Sequence, residues 1–336
     1  MSKFSLEVLE RCVFPYIYVR DADIILSTQF GEDVSLTRIR DGILVSHVDP
    51  IVGAVKDIGW LAVHVACNDI ATSGSKPRWL LPLVLVPRKE DEDLISEIMQ
   101  DIDRAAKEIG ASVIGGHTGY SANLRRPLVA VTALGTLENQ EPILTKGAQI
   151  GDHILITKGV GLEGTAILAN DFIETAMGFG IQDNEMSRAR KLITNISVIP
   201  EAFIFAEHGA TCMHDVTRGG LLEALLEISR SSCVCSQINY RDIYIPPIVS
   251  RFAKAFQFDP IKMISSGTLV VTISPEKLES TKNHLNQAGI VFRDIGEIFS
   301  GEGVIIKRGN RATTYKNIIC EEDELARMWL LYKTDE

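Results

Sequence analysis

Apolar residues along this chain recur in two rhythms, one with a period of two and one with a period near 3.6. Over residues 57–73, Ile58, Leu61, Ala62, Val65, Ala66 and Ile70 keep helical spacing and predict a helix. Residues 41–49 alternate as a strand does, and 79–87 form a short apolar run that reads as a buried strand. A helix over 91–110, acidic at its start, and strands over 111–115 and 128–134 complete the first half. Residues 1–15 predict one short helix ahead of it. A polar turn over 146–152 follows Pro142, and the pattern then restarts. It gives a strand (153–158), a glycine-bearing turn (159–164) and a helix from Thr165. Helices near 186–194, 200–208 and 218–230 come next, then strands at 268–273 and 290–298 flanking a helix at 275–288. Both halves alternate strand and helix, so the class is α/β or α+β. A chain of 336 residues is long for one core, and the expected domains are 1–142 and 143–336.

Composition narrows the function classes. A net charge of −10 with no dense Lys/Arg cluster argues against a nucleic-acid partner. No run approaches the roughly 20 apolar residues of a membrane span, and the first eleven residues are charged rather than signal-like, so a cytoplasmic protein is expected. The six cysteines make no CxxC pair and match no zinc module. Cys233 and Cys235 are expected on one face of a strand, where a metal or redox role is open beside the favoured reading as free thiols in a reducing compartment.

Candidate chemistry gathers at polar interruptions. The string His214-Asp215-Val216-Thr217-Arg218-Gly219-Gly220-Leu221-Leu222 puts an acid, a hydroxyl, a cation and two glycines ahead of a strongly patterned helix. Such a junction suits an anion at the helix start, with Asp215 able to hold a cation that the anion also binds; an ordinary N-cap with a glycine turn fits as well. Arg218 could clamp a phosphate or pair with Glu223, and Lys158 could face an acceptor or only solvent. Four similar interruptions lie in the first half: Gly31-Glu32-Asp33, His47-Val48-Asp49-Pro50, Asn68-Asp69 within an apolar helix, and Gly115-Gly116-His117-Thr118-Gly119. Magnesium takes several oxygen ligands, which carboxylates at strand and loop ends supply, and an acidic protein handling an acidic nucleotide needs such an ion. A solvated turn, a loop cap, a bonded helix residue and a loop histidine are the plain alternatives, and spacing leaves both readings open.

In this order, together with Asp57-Ile58-Gly59, Gly74 and Ser266-Gly267-Thr268-Leu269, these strings resemble the AIR synthetase (PurM) superfamily, from about residue 5 to 310. Within it they are most similar to the hydrogenase-maturation HypE branch and AIR-synthase-related proteins. The resemblance implies a two-domain PurM-like fold, with an N-terminal half-barrel sheet plus helices and a C-terminal α/β sandwich. It implies a homodimer built through the N-terminal domains, with ATP and Mg2+ in the cleft between domains. By motif, Glu32, Asp33, Asp49, Asp69 and Asp215 would hold the metal. Gly31, Asn68, Gly115, Gly116, His117, Thr118, Thr217, Gly219 and Gly220 would bind nucleotide. Asp49, Asp215 and Arg218 would serve the chemistry, with Gly159, Gly161 and Gly164 near the acceptor. The implied activity is ATP-dependent activation or phosphorylation of an oxygen on a small-molecule or protein-borne acceptor, possible partners including another maturation protein. A non-catalytic nucleotide-binding maturation or regulatory module, or a small-metabolite kinase like thiamine-monophosphate kinase, are the alternatives. Three departures stand out. The HypE Pro-Arg-x-Cys ending is replaced by Tyr332-Lys333-Thr334-Asp335-Glu336, with Cys320 sixteen residues before the last, which puts carbamoyl dehydration in doubt. The HypE Gly-Asp-Thr-Lys loop reads Gly116-His117-Thr118-Gly119. The reactive cysteine and glycine-rich loop of selenophosphate synthetase are missing, Cys12 lying on the apolar pattern, so selenide chemistry is not expected.

Overall fold

The computed structural model describes residues 6–17, 19, 21–51, 56–316 and 323–332. They form two compact units. The first takes the described residues of 18–29 and 33–142; the second takes those up to 17, then 30–32 and 143 onward. The short helix Leu6–Cys12 (α1) therefore belongs to the second unit.

The first unit runs β1 (Ile24–Leu26), β2 (Ser35–Ile39), β3 (Gly42–Ile51), α2 (Ile58–Thr72), β4 (Lys76–Val86), α3 (Glu92–Ile109), β5 (Ser112–Val113), β6 (His117–Tyr120) and β7 (Leu128–Leu137). Its sheet has the order β1-β2-β3-β7-β4-β5, with β6 also on β4. Only β5 and β6 run parallel to their neighbour. β7 alternates along its whole length, and β4 does so beyond a register shift between Pro77 and Trp79. Val45, Leu80, Val84, Val129, Val131 and Ala133 are buried on one face, where α2 packs across β3, β7 and β4. Every residue of α2 except Trp60 is buried, as expected of a helix apolar all round. Gly59 lets α3 come close, since a Cβ there would lie 2.4 Å from the Ile98 carbonyl oxygen. α3 is conventionally amphipathic, burying Ile98, Ile102, Ala105 and Ala106 and ending on left-handed Gly110. The apolar run at 79–87 is thus buried on one face only. Trp79, Leu81, Leu83 and Leu85 point the other way and stay half-exposed, level with Leu134, Thr132 and Ala130 of β7.

The second unit continues with β8 (His153–Thr157), α4 (Leu162–Asp171), α5 (Ile173–Gly178), α6 (Asp183–Arg190), α7 (Ile199–Glu207), β9 (Ala210–Asp215), α8 (Gly220–Ser231), β10 (Cys235–Asn239), α9 (Pro247–Phe256), β11 (Leu269–Ile273), α10 (Pro275–Gln287), β12 (Phe292–Phe299), β13 (Gly303–Arg308), β14 (Arg311–Tyr315) and α11 (Glu324–Tyr332). The sheet order is β14-β13-β10-β12-β8-β11-β9, antiparallel apart from β10 with β13. One core packs Leu221, Leu225 and Ile228 of α8 against Ile154, Ile156, Val270 and Ile295 of the sheet. A second, aromatic core joins Phe172, Phe252, Phe256 and Met328. The mixed α/β class with two sheets is as the pattern predicts. Two local expectations change. α4 starts at Leu162 rather than Thr165, because Gly161 takes the left-handed conformation that lets the helix open early. Cys233 and Cys235 do not share a strand face: Cys233 sits exposed in a left-handed turn, and β10 begins only at Cys235, which is buried. Cys320 lies outside the described residues. Among the described residues no helix is long and apolar enough to cross a membrane.

Candidate functional site

In the first unit the chemistry-bearing residues gather on the helix-covered face of the sheet. His47 and Asp49 alternate along β3 and pair with Ala133 and Val131 of β7, both buried under α2. Asp69 rises from α2 to meet them. His47 Nε2 stands 3.3 Å from Asp69 Oδ2. The other ring nitrogen, Nδ1, binds the Asp33 carbonyl oxygen, and since a carbonyl only accepts, Nδ1 carries the hydrogen. Asp33, His47 and Asp69 are therefore brought together, with Asp49 two residues along the same strand face. Asn68 is fully buried beside Asp69. Gly115, Gly116, His117 and Thr118 lie elsewhere. His117 and Thr118 are exposed on β6, paired with Leu83 and Val84 of β4, with β7 and β4 between them and β3. Three interstrand spacings of ~4.8 Å make that separation roughly 14 Å. Gly116 is required where it is: its φ is +143°, and a Cβ would sit 2.3 Å from the Pro82 carbonyl oxygen.

In the second unit Glu32 and Gly31 have structural work. The two carboxylate oxygens of Glu32 accept from the N–H groups of Thr145 (3.1 Å) and Lys146 (3.2 Å), closing the turn Thr145–Gly147. Gly31 is left-handed, and a Cβ would meet Ser231 Oγ at 2.7 Å. Asp215 ends β9 at 1% exposure, opposite Leu269 of β11. The chain then turns through Val216, whose N–H donates to the Thr268 carbonyl (2.8 Å), and through half-buried Thr217 and Arg218 into α8. Gly219 and Gly220 are both left-handed. A Cβ on Gly220 would lie 2.6 Å from the Ile261 carbonyl oxygen, and one on Gly219 would overlap the Glu223 carboxylate. No side chain caps α8. A strand-end carboxylate, a glycine-forced turn and an uncapped helix start occur in nine successive residues, an arrangement suited to a phosphate with its counter-ion.

The residues missed from sequence are buried glutamates. Glu227 holds His214 at 2.8 Å. Glu201, 1% exposed, accepts from Lys158 Nζ at 2.6 Å and from Thr157 Oγ1 at 3.2 Å. Lys158 Nζ also donates to the carbonyls of Asn195 and Ser197, so this lysine is a tie across the unit rather than a group facing solvent. Glu163, 6% exposed, receives two hydrogen bonds from Ser266 and feels the charges of Arg218 and Asp323; burial pushes its carboxyl above the usual range, against those bonds and Arg218. Arg218 thus lends its charge to Glu163, a role that neither sequence reading of it included. Heptad or strand periodicity carries no sign of these groups, because each occupies an ordinary-looking polar position.

Comparison with known proteins gives two family matches: AIR synthase related protein, N-terminal domain, over residues 31–137, and AIR synthase related protein, C-terminal domain, over 149–308. The carbamoyl dehydratase HypE of Bradyrhizobium diazoefficiens is 27% identical over 259 residues, 73% of this chain and 71% of that protein. The selenide, water dikinase of Carboxydothermus hydrogenoformans is 24% identical over 343 residues, 91% of this chain and 95% of that one. Among solved structures, hydrogenase maturation protein HypE in complex with ATP superposes with a TM-score of 0.73 at 21% identity, covering 87% of this chain and 89% of that chain. HypE from a HypE–HypF complex gives 0.70 at 21% identity over 84% and 93%.

Proposed function

Because this chain belongs to the AIR synthase related family, we propose that it is an ATP- and magnesium-dependent enzyme of the HypE-like branch, activating or phosphorylating an oxygen on an acceptor. The observation that carries this is the turn from Asp215 to Gly220: a buried carboxylate at a strand end, then two glycines that no other residue could replace without collision, opening an uncapped helix. A relative described as a dikinase and a neighbour described as binding ATP support the same reading.

The residues fit the ion. Mg2+ prefers oxygen ligands and keeps positions for phosphate oxygens. In the first unit Asp33, Asp49 and Asp69 offer carboxylate oxygens, and His47 orients Asp69; in the second unit Asp215 offers another. When bound, the ion would neutralise phosphate charge. The protein's own contributions are position and field: the α8 start attracts negative charge, Gly219 and Gly220 admit close backbone approach, and Arg218 adds a fixed cation. We assign ATP and magnesium binding and self-association to residues 1–142, with Asp215, Thr217, Gly219 and Gly220 of 143–336 adding to the nucleotide site and the acceptor near Gly159, Gly161 and Gly164. The apolar face of the first sheet, with Trp79, Leu81, Leu83, Leu134 and Val48 (59% exposed), favours a homodimer. Calorimetry with ATP, with and without Mg2+, tests the reading. Asp49→Asn and Asp215→Ala should each weaken magnesium-dependent affinity about tenfold or more while the fold persists. Unchanged affinity in both variants, or no nucleotide binding by the parent, would refute it.

A further inference from the structure

On the helix-covered face of the first sheet, His47 and Asp69 stand in an arrangement that an ordinary ion pair does not explain. The Asp33 carbonyl oxygen accepts from Nδ1, so that nitrogen keeps its hydrogen whatever the state of the ring, and a neutral His47 holds its lone pair on Nε2. Nε2 is buried 3.3 Å from Asp69 Oδ2 and still makes no hydrogen bond among the described residues. The separation would allow one, so it is direction that fails: a hydrogen on Nε2 would pass the oxygen by.

Two donor atoms lying side by side and aimed past each other form the jaws of a chelate. Ligand bonds of about 2.1 Å give an angle of roughly 100° at an ion shared by atoms 3.3 Å apart, between the octahedral and tetrahedral values. A ligating histidine commonly donates its other ring N–H to a backbone carbonyl, as His47 does to that of Asp33. Asp49 lies two residues along the same strand face, with a further carboxylate. The pair is open to an ion as well: 19% of the His47 side chain and 9% of that of Asp69 remain exposed.

We propose that His47 Nε2 and Asp69 Oδ2 chelate a divalent transition-metal ion, with Asp49 as a third protein ligand. The inference rests on the reading of these carboxylates as a cation site, and not on nucleotide binding. What it adds is the nitrogen donor and the class of ion that follows from it. Carboxylate oxygens alone suit Mg2+, whereas an imidazole suits Zn2+ and its neighbours in the first transition row and takes from Mg2+ an oxygen position it prefers. The first unit therefore takes a transition ion ahead of magnesium.

The test uses the full chain freed of metal by chelator and dialysis. Zn2+, Mg2+ and Mg-ATP are titrated separately by calorimetry, and 15N-histidine-labelled protein is followed by NMR. Parent protein should bind Zn2+ more tightly than Mg2+. One histidine should show its hydrogen on Nδ1, and Zn2+ should shift the Nε2 resonance of that ring. His47→Asn keeps an N–H for the Asp33 carbonyl and removes the ligand nitrogen. The variant should therefore hold the metal-free melting temperature and the Mg2+ affinity of the parent, lose the NMR signal, and bind Zn2+ about tenfold or more weakly. Zn2+ held elsewhere, as by exposed Cys12 and Cys233, is common to both proteins and cancels in the comparison. Equal Zn2+ affinity in the two proteins, a parent that prefers Mg2+, or a His47 Nε2 resonance that Zn2+ leaves in place would overturn the proposal. Any of these with Mg-ATP binding intact sinks the chelate and spares the nucleotide reading; a His47-dependent Zn2+ site without nucleotide affinity does the reverse.

Discussion

Gly220→Ala should damage this protein more than the same change at another left-handed glycine, and the difference can be worked out. Two terms contribute. An alanine held at positive φ costs about 1–2 kcal/mol over glycine. Gly309, at φ +62°, and Gly289, at φ +70°, have no atom within 4 Å of a built Cβ, so alanine there meets the first term alone. Gly220 has a similar φ of +67° but would place its Cβ 2.6 Å from the Ile261 carbonyl oxygen and 2.8 Å from backbone atoms of Lys262 and Met263. These are backbone atoms, unable to swing aside as a side-chain tip could. Forcing them apart adds a packing penalty of about 1–3 kcal/mol. Gly220→Ala should therefore be about 1–3 kcal/mol less stable than Gly309→Ala. In a unit of this size that is a melting temperature lower by roughly 2–4 °C for each kcal/mol. Differential scanning calorimetry of the three variants reads the result directly, with Mg-ATP affinity as a second readout: it should fall in Gly220→Ala and hold in Gly309→Ala and Gly289→Ala. Equal destabilisation of all three would show that the backbone does not approach residue 220 as described.

Lys158→Met leaves the Glu201 carboxylate buried beside Thr157 alone, and should cost about 3 kcal/mol in chemical denaturation, with Lys158→Met/Glu201→Gln recovering most of it. The stability difference between parent and Glu163→Gln should depend on pH. The folded-state value of Glu163 is raised, so its protonated form favours folding: the parent should lose ground to the variant as pH climbs from the ordinary glutamate range through the raised value, and parallel melting curves across pH would refute this. Brief alkylation of native protein, mapped by mass spectrometry, should mark exposed Cys12 and Cys233 and spare Cys67, whose thiol is pushed up by burial and by Asp69. Val48→Asp should shift any dimer toward monomer in sedimentation experiments without unfolding the chain; an unshifted dimer would place the interface elsewhere.

Much of the fold was legible because several segments carry a single strong period. α2, α3, α8 and α10 follow the helical spacing of their apolar residues to within about three positions at their ends. The strands β1, β2, β6, β9, β10, β13 and β14 and the helices α5, α9 and α11 leave no such period in the sequence, most being short and α9 hidden among prolines and aromatic residues that serve a core built from distant segments. At the candidate site, the strand-end aspartates and the paired glycines announced themselves through residue type. His47 had a usable signal as well: a residue two positions before Asp49 in an alternating strand must share its face. Glu163, Glu201 and Glu227 had none. Each stands where a helix surface would normally carry a solvated acid, and only the partner across the fold (Ser266, Lys158 or His214) reveals that it is inside.

Synthesis from the N-terminus sets a queue for this protein. Glu32 emerges from the ribosome 113 residues ahead of Thr145, the first of the two amides its carboxylate holds. Phe30 emerges 201 ahead of Ser231, which donates to its carbonyl. These early residues belong to a unit whose bulk is not yet made, with almost the whole of the other unit translated in between. A gene cut between residues 142 and 143 would consequently not yield two self-sufficient pieces. The later fragment would lack the segment that closes its own opening turn, and would need it supplied in trans as a peptide.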